Sequence, residues 1–303
     1  MLAHGIYNLQ EEPKVISLWD EVVIRDMATK SQKEPVYCLI HLSWNHGNIQ
    51  KMLRKKILFE LLRLRGVLPI LFTNSNSEEF YRRLLGIEGA QCIQYIYTNE
   101  KNYNVLNMEK KYDAIYTAQM RKFKRISLAR DIENLFILTY YPGREEFDLP
   151  NFCPAVKHAF FNKNWVNQED KSRLLNQSKV GLCLSKEEGP MLASLEYMLS
   201  GLPIVSTKSK GGRDTYYDPE YSIITKDKPR VIKESVEALI SKGISPEVIR
   251  QKTVKKLDQD RTKYVEFICS RIQKESKIKL DPENLKTKIF NNPEKNFIKT
   301  SSL

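Results

Sequence analysis

From residue 36 onward, apolar runs alternate with amphipathic stretches. VYCLIHL (36–42) is β-branched and apolar, WNHGN turns, and Ile49 to Arg65 carries leucines and isoleucines at helical spacing up to a stop at Gly66. VLPILFT (67–73) predicts a second buried strand. A helix capped by Ser77 then turns Phe80, Leu84 and Leu85 inward and ends at Gly86, before a third strand in AQCIQYIY (90–97). The order is β-α-β-α-β. Residues 98–111, TNEKNYNVLNMEKK, are polar and aperiodic and predict a domain boundary.

The alternation then resumes more strongly, with strands predicted at 112–117, 135–140, 156–161, 179–184, 203–206 and 221–225 and helical segments between most of them. Short apolar strands separated by helices predict a parallel, doubly wound α/β sheet of the nucleotide-binding type, whose ligands sit at the carboxyl ends of the strands. Residues 229–241 and 246–275 read as helices. The last stretch, rich in Lys and Asn and containing Pro282 and Pro293, predicts a partly disordered tail or a crossover segment. The domains expected are therefore 1–110, 111–275 and the tail 276–303; the first 35 residues carry no assignable pattern and no internal repeat is present.

Composition narrows the function classes. At 303 residues, 41% hydrophobic and 28% charged, the chain fits a soluble globular protein of two modest domains. No apolar run approaches the roughly 18 residues of a membrane span. The start, MLAHGIYNLQEEPK, lacks a secretion-type leader, so a cytoplasmic location is expected. The five cysteines are widely spaced, and with the four histidines they form no ligand spacing, so neither a disulfide framework nor a metal is expected. A net charge of +12 suits nucleic acid, anionic lipid or phosphorylated small molecules, and residues 51–65, 121–130 and the tail from Arg271 concentrate it.

Candidate chemistry is densest in KVGLCLSKEEGPMLASLEYMLSGLPIVSTKSKGGRDTYY (179–217), which reads as strand, turn, apolar helix from about Met191, strand and Gly-Gly loop. Glu188 sits at the mouth of the helix and Glu196 about two turns further in. A carboxylate entering an apolar helix requires a partner. Ligand hydroxyls would supply one. The alternative is that Glu196 pairs with a lysine on a neighbouring element while Glu188 caps in solvent. Amides at the start of this helix favour a phosphate or sugar oxygen.

This stretch resembles GT-B glycosyltransferases of the glycosyltransferase family 4 (group 1) type. The resemblance rests on Ser185, Glu188, Gly189, Glu196, Ser200, Gly201, Leu202, Pro203, Ile204 and Val205, followed by Gly211 and Gly212. It covers residues 112 to 265 and reaches toward the β-α-β stretch from 36. It implies two Rossmann-like domains facing a cleft, the N-terminal one reduced. It further implies that Glu188 contacts donor-sugar hydroxyls, that the amides of Gly189, Pro190, Met191 and Leu192 approach the sugar or diphosphate, and that Glu196 holds the ribose. Such enzymes also carry an Arg and, about five residues on, a Lys that neutralise the leaving diphosphate. Lys124 falls at the Lys position. Gln119 stands where the Arg is expected, with Arg121, Lys122 or Arg125 as substitutes. The loop FFNKNW (160–165), with Asn162, resembles the place of nucleobase contacts; Gly211, Gly212 and Arg213 read as an anion-binding loop or a hinge. In the first half, His46 is the candidate near the reacting carbon, while His41, inside an apolar strand, reads as core.

By this resemblance the chain is a retaining, metal-independent hexosyltransferase that takes a nucleotide-diphosphate sugar as co-substrate, needs no cofactor and glycosylates a saccharide or lipid-linked acceptor. Only three firm strands in the first 110 residues permit a homodimer, and basic residues 51–65 permit peripheral membrane contact. The alternatives are a nucleotide-sugar-binding module without turnover, supported by Gln119, and a nucleic-acid-binding protein, which the absence of aromatic-basic sheet signatures disfavours.

Overall fold

The computed structural model describes residues 6–18, 24–25, 27–29, 31–140, 146–291 and 297–298. In chain order the elements are β1 (Ile6–Gln10), β2 (Val15–Leu18), β3 (Val36–His41), α1 (Ile49–Arg63), β4 (Val67–Thr73), α2 (Asn76–Leu84) and β5 (Gly89–Gln91). There follow β6 (Tyr112–Gln119), β7 (Leu135–Tyr140), α3 (Leu149–Phe152), β8 (Phe160–Phe161), α4 (Gln168–Asn176), β9 (Ser178–Cys183) and α5 (Leu192–Leu199). Last come β10 (Ile204–Thr207), β11 (Ser222–Thr225), α6 (Pro229–Lys242), α7 (Pro246–Ser276), α8 (Pro282–Phe290) and β12 (Phe297–Ile298). Two compact units form, Met1–Thr98 with Leu257–Leu303, and Asn99–Lys256.

The first unit is built on a sheet ordered β12-β1-β2-β3-β4-β5, parallel from β2 to β5 and antiparallel at β1. It holds six strands where the sequence pattern showed three, because β1 and β2 are short and β12 comes from the far end of the chain. Its strands are apolar at nearly every position because both faces are covered. Val36, Cys38 and Ile40 pack under α1 and α2 with Met52, Phe59 and Leu62. Tyr37 and Leu39 point the other way, onto Val265, Ile268 and Ile272 of α7 and Leu285 and Ile289 of α8. The tail expected to be partly disordered is thus, as far as Asn291, a short link carrying Leu280 and then helix α8 carrying Leu285 and Ile289, all three in the core; residues 292–296 and 299–303, with Pro293, lie outside the described residues.

Three local expectations differ from the structure. The second helix starts earlier, on a capping box in which Ser75 takes the Glu78 N–H and Glu78 returns to the Ser75 backbone. That register buries Glu78, Glu79 and Arg82 and turns Phe80 and Leu84 outward, at 61% and 62% exposure. Only Gly89–Gln91 of the third strand pairs with β4, and Gln94–Tyr97 winds into a 3-10 turn whose first N–H donates to Asn74 Oδ1. Of 156–161, only Phe160–Phe161 is strand, since Pro154 opens a 3-10 turn immediately before it.

His41 closes β3 in a buried cluster, its Nε2 lying 2.8 Å from Tyr97 Oη and 3.0 Å from Tyr264 Oη. Burial pushes His41 down from 6.5 to about 3, so the folded state keeps it neutral while the unfolded chain protonates first as the pH falls. Burial pushes both facing phenols up, so they too stay neutral. Stability is therefore expected to be full above about pH 7 and to decline as the pH falls through 6.5 toward 3, this group contributing a slope of up to about 1.4 kcal/mol per pH unit. Denaturant melts across that range should show the slope in the wild type and a flatter one in His41→Gln.

The second unit carries an all-parallel sheet ordered β11-β10-β9-β6-β7-β8. The chain runs outward from β6 through β7 to β8, returns to the other side of β6 at β9, and runs outward again to β11. The strand order reverses between β6 and β9, the position at which open α/β sheets bind ligands. The division falls after Thr98 rather than 110 because the intervening segment is tied into this unit. Arg250 of α7 donates to the carbonyls of Tyr103 and Leu199, and the Leu106 N–H donates to Asn176 Oδ1 at 2.8 Å. From Leu257, α7 belongs to the first unit, not to the second as far as 275, because its apolar face covers the first sheet.

Candidate functional site

The two central strands of the second unit part company toward their carboxyl ends. β6 and β9 pair from Tyr112 and Ser178 as far as Ile115 and Gly181, after which β6 continues to Gln119 alongside β7 only. Beyond the last pair, the Thr117 N–H donates to Tyr197 Oη of α5 at 2.6 Å instead of to a strand. α5 can lie this close because position 181 is glycine: a Cβ there would stand 2.3 Å from the Tyr197 ring. Past this parting the segments after β6 (120–125) and after β9 (184–191) lie side by side, the Lys186 N–H donating to the Phe123 carbonyl at 3.2 Å.

Each segment contributes one buried charge. After β6 the chain makes a 3-10 turn, Lys122–Lys124, with the Lys124 carbonyl accepting from Tyr116 Oη at 2.6 Å. After β9 the turn 185–190 leads into α5. Lys124 Nζ donates to Glu188 Oε1, joining residues 64 apart in sequence, with side-chain exposures of 10% and 8%. Glu188 is therefore not a solvated cap.

The Glu188 turn is held from below. Glu188 N donates to the Lys210 carbonyl at 3.0 Å and Lys210 N to the Lys186 carbonyl at 3.1 Å, a short bridge between the two loops. Gly211 follows with φ +117°, and a Cβ there would lie 1.7 Å from the Glu188 carbonyl oxygen. Arg213, 1% exposed, donates to the Ser185 carbonyl at 2.8 Å and Ser185 Oγ at 2.6 Å, and also to the Thr207 carbonyl. Arg125, with φ 51°, donates to the Leu184 carbonyl and Thr207 Oγ1, each at 2.7 Å. Both guanidinium groups thus clamp the carboxyl ends of β9 and β10.

A second carboxylate lies further in. Glu196 of α5 is 4% exposed, pairs with Lys171 Nζ of α4 at 2.6 Å and accepts from Tyr103 Oη at 2.6 Å. Burial, then the Glu196 charge, pushes the Tyr103 phenol up, so it stays a donor. Tyr103→Phe removes a hydrogen bond to a charged acceptor and is expected to destabilise by about 1–3 kcal/mol, read from a denaturation midpoint.

Residues 155–256 match the family model described as glycosyl transferases group 1. The matched span, about a third of the chain, takes in Glu188, Glu196, Gly211 and Gly212 and begins after Lys124 and Gln119. No curated protein matches the chain in sequence. Among solved structures, TarM aligns with TM-score 0.58 and 11% identity over 77% of this chain and 50% of its own. The Anabaena protein HepE, solved with UDP, aligns with TM-score 0.59 and 11% identity over 85% and 82%. AviGT4, a glycosyltransferase involved in avilamycin A biosynthesis, aligns with TM-score 0.54 and 12% identity over 82% and 76%. This chain thus spans half the length of TarM. At such identities the likeness is one of fold, the α/β fold with parallel sheets of GT-B glycosyltransferases.

Within the group 1 span and the segment before it, the expected donor residues have different surroundings. Gly189, Pro190, Met191 and Leu192 form the entry to α5, where Met191 is the N-cap and supplies no side-chain cap. Gly211 lies directly against the Glu188 turn, and Gly212 caps the 3-10 turn Arg213–Tyr216. Gln119 ends β6 with its side chain bonded to Tyr140 Oη. Arg121 is exposed, and Arg125 is engaged on backbone and on Asp227. The Asn162 side chain accepts from Thr139 N at 2.7 Å and donates to the carbonyls of Thr139 and Asn164, each at 2.8 Å, extending the edge of β7. His46 belongs to the first unit, where its N–H donates to Glu78 Oε1 at 2.7 Å and its ring Nδ1 to the Trp44 carbonyl at 2.8 Å.

Tyr140, Tyr103 and Lys171 were not found from the sequence. Tyr140, the last residue of β7, has its phenol pushed up by burial and by the charges of Glu188 and Glu196. Its position at a strand's carboxyl end was the available signal. No local pattern marks Tyr103 or Lys171, whose shared partner is distant in sequence.

Proposed function

We propose that the chain is a glycosyltransferase that moves a sugar from a nucleotide-diphosphate donor to an acceptor hydroxyl, with retention and without a metal. The observation that carries this reading is the buried Lys124–Glu188 pair at the point where the strand order reverses. A buried pair of this kind is a poor source of stability. It does suit a ligand presenting anionic oxygens to the ammonium and hydroxyls to the carboxylate. In the reaction, the bond from the anomeric carbon to the phosphate oxygen breaks, its electron pair stays on the diphosphate, the acceptor oxygen bonds to the carbon, and the acceptor's hydroxyl proton passes to the leaving phosphate oxygen. Lys124 opposes the charge that develops on the diphosphate, the work a divalent cation would otherwise do. Glu188 orients the sugar, and Glu196, released from Tyr103 and Lys171, takes the ribose hydroxyls.

The second reading is a nucleotide-sugar-binding module without turnover, favoured by Gln119, which can hydrogen-bond a phosphate but adds no charge. Thermal-shift measurements with UDP, GDP, ADP, CDP and their sugar conjugates, followed by assays of nucleotide release, separate the two. UDP is tried first, since HepE was solved with it. A ligand at about 100 times its Kd stabilises by about 2.7 kcal/mol. A shift with release supports the enzyme, a shift without release in the presence of saccharide and lipid-linked acceptors supports the module, and silence from every nucleotide removes the donor site.

A further inference from the structure

α1 lies on its sheet through Met52, Lys55, Phe59 and Leu62. At about 100° per residue these fall within an arc of about 80°. On the opposite side, Ile49, Leu53, Ile57 and Leu61 form an exposed, mainly apolar stripe continued by Leu64, whose exposures run from 41% at Ile49 to 80% at Leu64, with Gln50 and Glu60 also falling inside its arc. This second arc spans about 120°. α2 packs beside α1 against the same face of the sheet and turns Phe80 and Leu84 outward as well. Two adjacent helices of one unit therefore present large aliphatic and aromatic side chains to solvent. Isolated exposed apolar residues need no explanation, but a contiguous patch marks an interaction surface.

The cations around the stripe identify its partner. On the helical projection, Arg54 borders the apolar arc on one side, and Lys56 and Arg63 on the other. Glu60, the one acid in α1, is paired with Lys56 at 2.7 Å and with Arg63 at 3.0 Å. A second copy of this surface would bring like charges together. We propose that the outer face of α1 and α2 docks on an anionic lipid bilayer, with the aliphatic stripe entering the headgroup boundary and the flanking lysines and arginines on the lipid phosphates. Among the described residues no helix is long and apolar enough to cross a membrane. The proposal stands apart from the glycosyltransferase reading, since docking requires no nucleotide.

The test is flotation of the full chain with vesicles of phosphatidylcholine alone, or with about a third phosphatidylglycerol, at about 0.1 M and about 0.5 M salt. Binding is expected on the anionic vesicles at low salt, at least about tenfold weaker on the neutral ones and weaker again at high salt. Ile57→Glu with Leu61→Glu, both on exposed positions, should lower it at least about tenfold. Arg54→Gln with Lys56→Gln should lower it about fivefold per cation. No flotation with anionic vesicles overturns the proposal, as does flotation that both double variants leave unchanged. Light scattering that shows a dimer dissociated by Ile57→Glu with Leu61→Glu, without vesicle binding, overturns it in favour of a second copy. Binding to duplex DNA that the same two variants abolish, without vesicle binding, assigns the face to nucleic acid.

Discussion

Lys124→Met and Glu188→Gln are each expected to lower kcat by about 100- to 1,000-fold, the loss typical of removing one group aimed at charge developing in a transition state. Each single variant also strands a buried charge and should lose about 3–5 kcal/mol of stability. The double variant separates the two roles. With both charges gone, stability should recover most of that loss while turnover stays absent. Steady-state rates of nucleotide release and denaturation midpoints, measured on all three variants, check this. Full activity in both single variants would remove the pair from the site.

Gly211→Ala is the second change with a large expected effect. The new methyl would meet the Glu188 carbonyl oxygen at 1.7 Å and the Gly189 carbonyl oxygen at 3.3 Å, and φ +117° is a conformation that side chains rarely adopt. Both obstacles are backbone and cannot swing aside. A loss of about 3 kcal/mol or more is expected. For a unit of this size that lowers Tm by about 6–12 °C. The strain falls on the turn that carries Glu188, so donor-induced stabilisation should weaken together with the melting temperature. Gly243→Ala is the control: φ is +59°, yet nothing lies within 4 Å of the added methyl, so the penalty is smaller and leaves ligand binding untouched.

The parts legible in the sequence were those determined by short-range pattern. The six strands of the second unit announce themselves as apolar runs because that sheet is covered on both faces, and the seven-residue interval from Glu188 to Glu196 placed one carboxylate at the helix mouth and one inside. Which residues partner those carboxylates was not legible. Lys124 meets Glu188 only because the reversed strand order makes neighbours of β6 and β9. For Glu196 the alternative of a lysine on a neighbouring element matches the structure, which supplies Lys171, but neither which lysine nor Tyr103 beside it could be read from the sequence. The orientation of Phe80 and Leu84 depended on a choice between Ser75 and Ser77 as cap, and the reciprocal bond with Glu78 decides for Ser75. Two residues of shift reversed which side chains met the core.

The first unit also has a history in time. Its sheet needs α7 and α8, because Leu39, Ile70 and Phe72 find their cover on residues after Leu257. The second unit is one continuous stretch, Asn99–Lys256, that can close as soon as it is made. During synthesis at about 5–20 residues per second, the roughly 190 residues between Thr98 and Ile289 take about 10–40 s. For that interval one face of the earliest strands stands open while the later-made unit folds. Strands β3 and β4 are therefore expected to need holding chaperones until α7 and α8 emerge, and deletion of α8 should be felt first as aggregation during expression.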